Sequence, residues 1–202
     1  MTRITRLSQL DLSASYSYAD YLTWRLTDAV ELIKGRIQLM SPAPNVKHQR
    51  LSIYLGSHLF FYFENKPCQV FSALFDVRLY DRTKSLLANK DITTVVQPDI
   101  CIIRDKEKLD EQGCNGAPDW IIEILSKGNS KKEVKIKHAL YAESGVTEYW
   151  LIYPYEEVIH QFVLNDETRQ YQLHNSYAGD DVAAPYLFPD LAIDLPTLFK
   201  DV

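Results

Sequence analysis

Apolar and polar positions along this chain change their period several times, and each change marks an element. Residues 18–27 (YADYLTWRLT) predict a short helix, and 31–40 (ELIKGRIQLM) predict a hairpin, because Lys34-Gly35 separates two apolar runs. Pro42 and Pro44 close this first part, which reads as an attachment outside the core. Asn45 then offers an N-cap to a helix running to about Phe63. On it, His48, Ser52, Leu55, Leu59 and Tyr62 keep the spacing of one face. Three β-like runs follow, at 68–80 (CQVFSALFDVRLY), 95–103 (VVQPDICII) and 118–125 (PDWIIEIL). The last two are too short for helices and nearly continuous in apolar residues, as strands covered on both faces are. A second helix spans Ser130 to Gly145, opened by a Ser130-x-x-Glu133 capping box and closed by the glycine. A fourth strand is 148–154 (EYWLIYP). EVIHQFVL and RQYQL flank Asn165–Thr168 as a C-terminal β-hairpin, and the tail PYLFPDLAIDLPTLF packs through its apolar residues. The order predicts an α/β fold with a mixed central sheet flanked by helices, an N-terminal helix and hairpin extension, and a C-terminal hairpin.

Length and composition change this picture little. The 202 residues suit a single domain, 1–202, with the extension at 1–44, the core at 45–154 and the hairpin and tail at 155–202. With 46% hydrophobic and 24% charged residues and no low-complexity stretch, disorder is not expected. No signal-peptide pattern opens the chain and nowhere do about 18 uncharged apolar residues run together, so no membrane role and a cytoplasmic location are expected. Cys68, Cys101 and Cys114 lack metal-site spacing and read as free thiols. The net charge of −5 argues against a protein that coats nucleic acid, yet from 127 to 137 five lysines face one acid, Glu133.

Three residues sit where apolar ones are expected. Glu123 lies inside WIIEIL, where an unpaired carboxylate costs several kcal/mol, roughly. Asp99 heads the neighbouring strand directly after Pro98. Lys137 falls within the apolar arc that Val134, Ile136, Leu140 and Tyr141 form on the second helix, and its stem is long enough to reach Glu123. Two carboxylates with a lysine suit a divalent cation beside a phosphate. The same trio suits an ion-pair cluster that ties helix to sheet, and spacing alone leaves both readings open.

A resemblance bears on that choice. QPDICII, then PDWIIEILSKGNSKKEVKIKHALYAESGVTEYWLIYP, with AVELIKGRIQLMSPAPNVKHQR and FDVRLY upstream, resembles the Uma-two family of putative restriction endonucleases, a branch of the PD-(D/E)XK nuclease superfamily. The similarity spans roughly residues 20–154, with the tail in keeping. It implies a PD-(D/E)XK nuclease-like fold and a Mg²⁺-dependent DNA endonuclease, with Mn²⁺ as a substitute metal. Asp99, Glu123 and Lys137 are then the catalytic set, and Asp99, Glu123 and the backbone carbonyl of Ile124 the metal ligands. The chain departs from the parent motif at Leu125, which stands in the lysine position; Lys137 matches the lysine of the next helix that takes over in this branch. His48, Asp76, Glu31, Ser126 and Tyr141 are secondary candidates, and Lys127, Lys131, Lys132 and Lys135 are candidate phosphate contacts or, equally, a solvated face. A homodimer is one way to cut both strands. The rival readings are a silent nucleic-acid- or protein-binding module and a structural charge cluster. On the catalytic reading, Lys137→Met is expected to keep or raise stability while removing cleavage.

Overall fold

The computed structural model describes residues 3–40, 45–81, 83–84, 86–128 and 131–200. Ser17 opens helix α1 (Tyr18–Tyr21) with a capping box, its hydroxyl accepting from Asp20 N–H while the Asp20 carboxylate accepts from Ser17 N–H. The helix is far shorter than the predicted 18–27. After Tyr21 the chain turns so that Trp24 packs on the rings of Tyr16 and Tyr21, and Arg25 donates to the carbonyls of Leu22 and Trp24, taking acceptors a continued helix would use. Strands β1 (Val30–Ile33) and β2 (Arg36–Leu39) form the predicted hairpin. Lys34 and Gly35, at φ 49° and 79°, supply the left-handed pair that a tight two-residue turn requires.

Helix α2 (Val46–Phe63) begins at Asn45, whose side chain accepts from His48 N–H at 3.0 Å. His48, Leu51, Leu55, Leu59 and Phe63 form its buried side, while Ser52 and Tyr62, predicted on that face, lie half-buried at its edges. The run 68–80 is two strands, β3 (Gln69–Ser72) and β4 (Val77–Arg78); the run 95–103 is also two, β5 (Val95–Val96) and β6 (Ile100–Ile103). In each case the halves enter different sheets. Pro98 has no N–H for a continuous ladder, and Gln97 and Asp99 on either side spend their side chains elsewhere. Strands β7 (Leu109–Asp110) and β8 (Gly113–Asn115) are too short to show a period in the sequence. Strand β9 (Trp120–Ile124) is the predicted apolar run.

Helix α3 (Lys131–Ser144) follows; the Ser130 of the predicted capping box lies outside the described residues, as do Pro42 and Pro44. It ends as expected at Gly145, φ 90°, where Val146 N–H returns to the Tyr141 carbonyl and Gly145 N–H to that of Ala142. Strands β10 (Glu148–Tyr153), β11 (Val158–Asn165) and β12 (Gln170–Tyr177) form a meander, the last turn held by Asn165 accepting from the N–H groups of Glu167 and Thr168. The tail adds β13 (Val182–Ala183), β14 (Ile193–Asp194) and helix α4 (Leu195–Leu198), capped by Asp194.

Two six-stranded sheets result, ordered β12-β11-β10-β9-β6-β3 and β2-β1-β5-β4-β8-β7. The first is mixed: β9 and β10 are parallel and joined by the α3 crossover, and β6 runs antiparallel to β9. Alternation along its strands divides the core. Ile100, Ile102, Trp120, Ile122 and Trp150 face α2 and the tail, while Cys101, Ile103, Ile121, Tyr149 and Leu151 face α3 and the second sheet. The N-terminal hairpin is therefore no attachment. Strand β1 pairs with β5, and Leu32 is wholly buried. The three cysteines are free and buried. Among the described residues no helix is long and apolar enough to cross a membrane.

Candidate active site

Glu123 sits on the α3-facing side of β9, and the crossover that makes β9 and β10 parallel lays α3 above it. Lys137, one of the buried residues of that helix, donates from Nζ to Glu123 Oε1 at 2.9 Å; Tyr141 O–H, one turn on, donates to the same oxygen at 2.6 Å. Lys137 Nζ also stands 3.0 Å from Glu31 Oε1, so one ammonium bridges two buried carboxylates. Gln97 N–H donates to the same Glu31 oxygen at 3.0 Å.

Asp99 precedes β6, the strand beside β9. Its Oδ2 accepts from Ile124 N–H at 2.7 Å, and its Oδ1 lies 3.1 Å from His48 Nε2 at the start of α2. That contact assigns the His48 proton to Nε2 and leaves the buried Nδ1 without a partner. Asp99, Glu123, Lys137, Glu31 and His48 all border one cavity of about 300 Å³, together with Leu125 and Ser126. Asp76 is outside that lining. It accepts from Tyr18 O–H at 2.8 Å and from Gln97 Nε2 at 2.7 Å, one residue behind the site.

The electrostatics follow from burial and count. Among the described residues four carboxylates, Glu31, Asp99, Glu123 and Glu133, border the cavity against one lysine. Burial pushes the Glu123 carboxyl up to about 7, with Asp99 and Glu31 adding to the rise and Lys137 and Tyr141 opposing it. Burial draws Lys137 down, but Glu123 and Glu31 outweigh it and hold the ammonium above the ordinary lysine range, so Lys137 stays charged. For His48, burial lowers the pKa while the bond to Asp99 and the Asp99 and Glu123 charges raise it to a net increase.

Among the described residues no three His, Cys, Asp or Glu side chains form a ready metal cage. The donor set nevertheless fits a hard cation that keeps waters of its own: each Asp99 oxygen has a second lone pair, Glu123 takes both of its donors on Oε1, and the acids outnumber the bases. Lys131, Lys132 and Lys135 are exposed on α3, away from the cavity; Lys127 lies 4.5 Å over the Tyr155 ring, with Lys47 5.5 Å from it. Lys47 and Gln97 were not singled out by the sequence. Glu31 carries the same sign as Glu123, a glutamate within an apolar strand.

A family model described as "Putative restriction endonuclease", Uma2, matches residues 18–196, a span that contains both sheets and every side chain of the cavity named above. The chain belongs to the Uma2 family. Its fold is also that of a solved structure described as a putative nuclease belonging to DUF820 from Anabaena variabilis ATCC 29413, at 21% identity over 92% of this chain and 98% of that one, with a TM-score of 0.70. No curated protein matches. In this Uma2 chain Leu125, two residues after Glu123, borders the cavity, and Lys137 approaches Glu123 from α3.

Proposed function

We propose that this Uma2 chain is a metal-dependent endonuclease that hydrolyses DNA phosphodiester bonds in the cavity between β6, β9 and α3. The observation that carries the reading is the excess of carboxylates over bases in one buried cavity, because uncompensated negative charge away from water is costly and invites a cation. Asp99, Glu123 and the Ile124 backbone carbonyl would hold Mg²⁺ or Mn²⁺. Bound there, the metal supplies Lewis-acid polarisation of the phosphate and a more acidic water.

The chain's own groups do the rest. Ile124 N–H and His48 fix the two oxygens of Asp99, and Tyr141 fixes Glu123, so neither carboxylate reorganises during reaction. Lys137, held charged by its two acids, offers its ammonium to the attacking water or to the negative charge that develops on the phosphate. Exposed lysines of α3 contact the backbone and position the duplex without reading sequence.

Supercoiled plasmid incubated with Mg²⁺ or Mn²⁺ is expected to be nicked, and Asp99→Ala to lower the rate on the order of 10²-fold or more. Plasmid bound but left supercoiled with either metal identifies a silent DNA-binding module instead. Neutralising Lys131, Lys132 and Lys135 together is expected to flatten the slope of log K against log[salt] by roughly one unit for each phosphate that a lysine no longer neutralises. An unchanged slope in a gel-shift titration moves the DNA to another face.

A further inference from the structure

Helix α2 has a second long face, opposite the one that carries Leu51, Leu55 and Leu59. On it Ile53, Phe60 and Phe61 are 68%, 57% and 70% exposed. Ile53 and Tyr54 recur seven residues later as Phe60 and Phe61, the spacing of a helix seam rather than of a solvated surface.

The pattern is also self-complementary. Counted outward from Ser57 in both directions, Tyr54 is matched by Phe60, Ile53 by Phe61, and Arg50 by Glu64. A two-fold axis through Ser57 sets each residue of a pair against the other on the facing helix: aromatic on aromatic, Ile53 on Phe61, cation on anion. That is the requirement of an isologous interface. We propose that this face is the seam of a homodimer in which α2 packs antiparallel on α2 of a second copy about Ser57, whose small side chain allows close approach at the axis. Charge complementarity selects this occupant. In the parallel arrangement Arg50 would meet Arg50 and Glu64 would meet Glu64, and like charges facing each other oppose association. The seam runs beside the cavity, since Gln49 and Ile53 border both it and the apolar depression along α2. The proposal stands whether or not the cavity cuts DNA.

Sedimentation equilibrium is expected to give twice the 23.4 kDa chain mass for the wild type. Ile53→Glu/Phe61→Glu is expected to sediment as a monomer with native circular dichroism, the substituted side chains being exposed. Arg50→Glu raises the dimer Kd by about tenfold or more, and Arg50→Glu/Glu64→Arg restores it. Ser57→Cys forms an interchain disulfide on oxidation, which the wild type with its buried cysteines does not. A monomeric wild type overturns the proposal, as does a dimer indifferent to Ile53→Glu/Phe61→Glu. Failure of both the charge swap and the Ser57→Cys cross-link overturns the antiparallel register.

Discussion

Lys137→Met is expected to melt early and to lose most of its cleavage. The sequence alone suggests that a methionine on the apolar arc of α3 is tolerated; the geometry argues the other way, because Lys137 is the bridge between Glu31 and Glu123, both buried. Removing one partner of a buried pair costs about 3 to 5 kcal/mol, because the charge left behind has neither water nor counter-ion. The loss depends on pH. Folding raises the Glu123 pKa above 4.5 to about 7, so the folded state favours its protonated form; the penalty is absent in acid and grows as pH rises through that window. Without Lys137 the window moves further up, and the gap in Tm between variant and wild type is expected to be wider at pH 8 than at pH 5. Cleavage falls on the order of 10²-fold or more at temperatures where the variant is still folded.

A companion variant separates stability from chemistry. Glu31→Leu/Glu123→Leu/Lys137→Met removes the ammonium together with both carboxylates it bridges, and apolar replacements of buried ion clusters are often neutral or stabilising. It is expected to regain most or all of the stability that Lys137→Met forfeits, judged by urea denaturation, and to remain inactive with Mn²⁺ binding abolished. A triple variant that nicks plasmid as the wild type does removes the cavity from the mechanism. A single variant as stable as the wild type at pH 8 shows that Lys137 does not neutralise the two acids.

How far the sequence revealed this site follows from the range of each signal. Glu123 and Lys137 were legible because a charge breaks the local period, and the capping and C-terminal glycine logic of α2 and α3 is likewise local. The meeting of Glu31 with Lys137 was not legible. It depends on β1 pairing with β5, a contact between segments more than sixty residues apart, and on Gln97 in the break between β5 and β6. That break was hidden for a similar reason: VVQPDICII has one apolar character throughout, while its two halves belong to different sheets, and only Pro98 marks the change. His48 was placed correctly on the inner side of α2, but its partner, Asp99, is 51 residues away.

The same signal can mislead, and Glu148 shows how. It too is a glutamate in an apolar strand, and it is entirely buried. Yet its partners are N–H donors rather than cations: Trp150 Nε1 at 2.7 Å, Gln161 Nε2 at 2.8 Å, and the backbone N–H groups of Tyr186 and Leu187, each at 2.9 Å. Strand β10 pairs with β9 so that Glu148 lies opposite Trp120 and Leu151 opposite Glu123, three residues, or about 10 Å, from the cavity end of the sheet. Its work is to fasten the C-terminal tail across the meander. Glu148→Ala removes the acceptor of four donors at once, two of them, Trp150 Nε1 and Gln161 Nε2, buried, so a loss of about 2 to 4 kcal/mol is expected even after partial relaxation, with hydrogen exchange at Tyr186 and Leu187 accelerated well beyond that at Ile121 and Ile122. Metal binding and nicking are expected to persist wherever the variant remains folded, because no atom of Glu148 borders the cavity. A Glu148→Ala protein within about 1 kcal/mol of the wild type, or one whose Mn²⁺ affinity collapses while its fold persists, contradicts this division. A buried glutamate in a strand thus identifies a group that must be compensated; whether the compensation is a lysine and a cation or a ring of N–H donors separates the site from the scaffold.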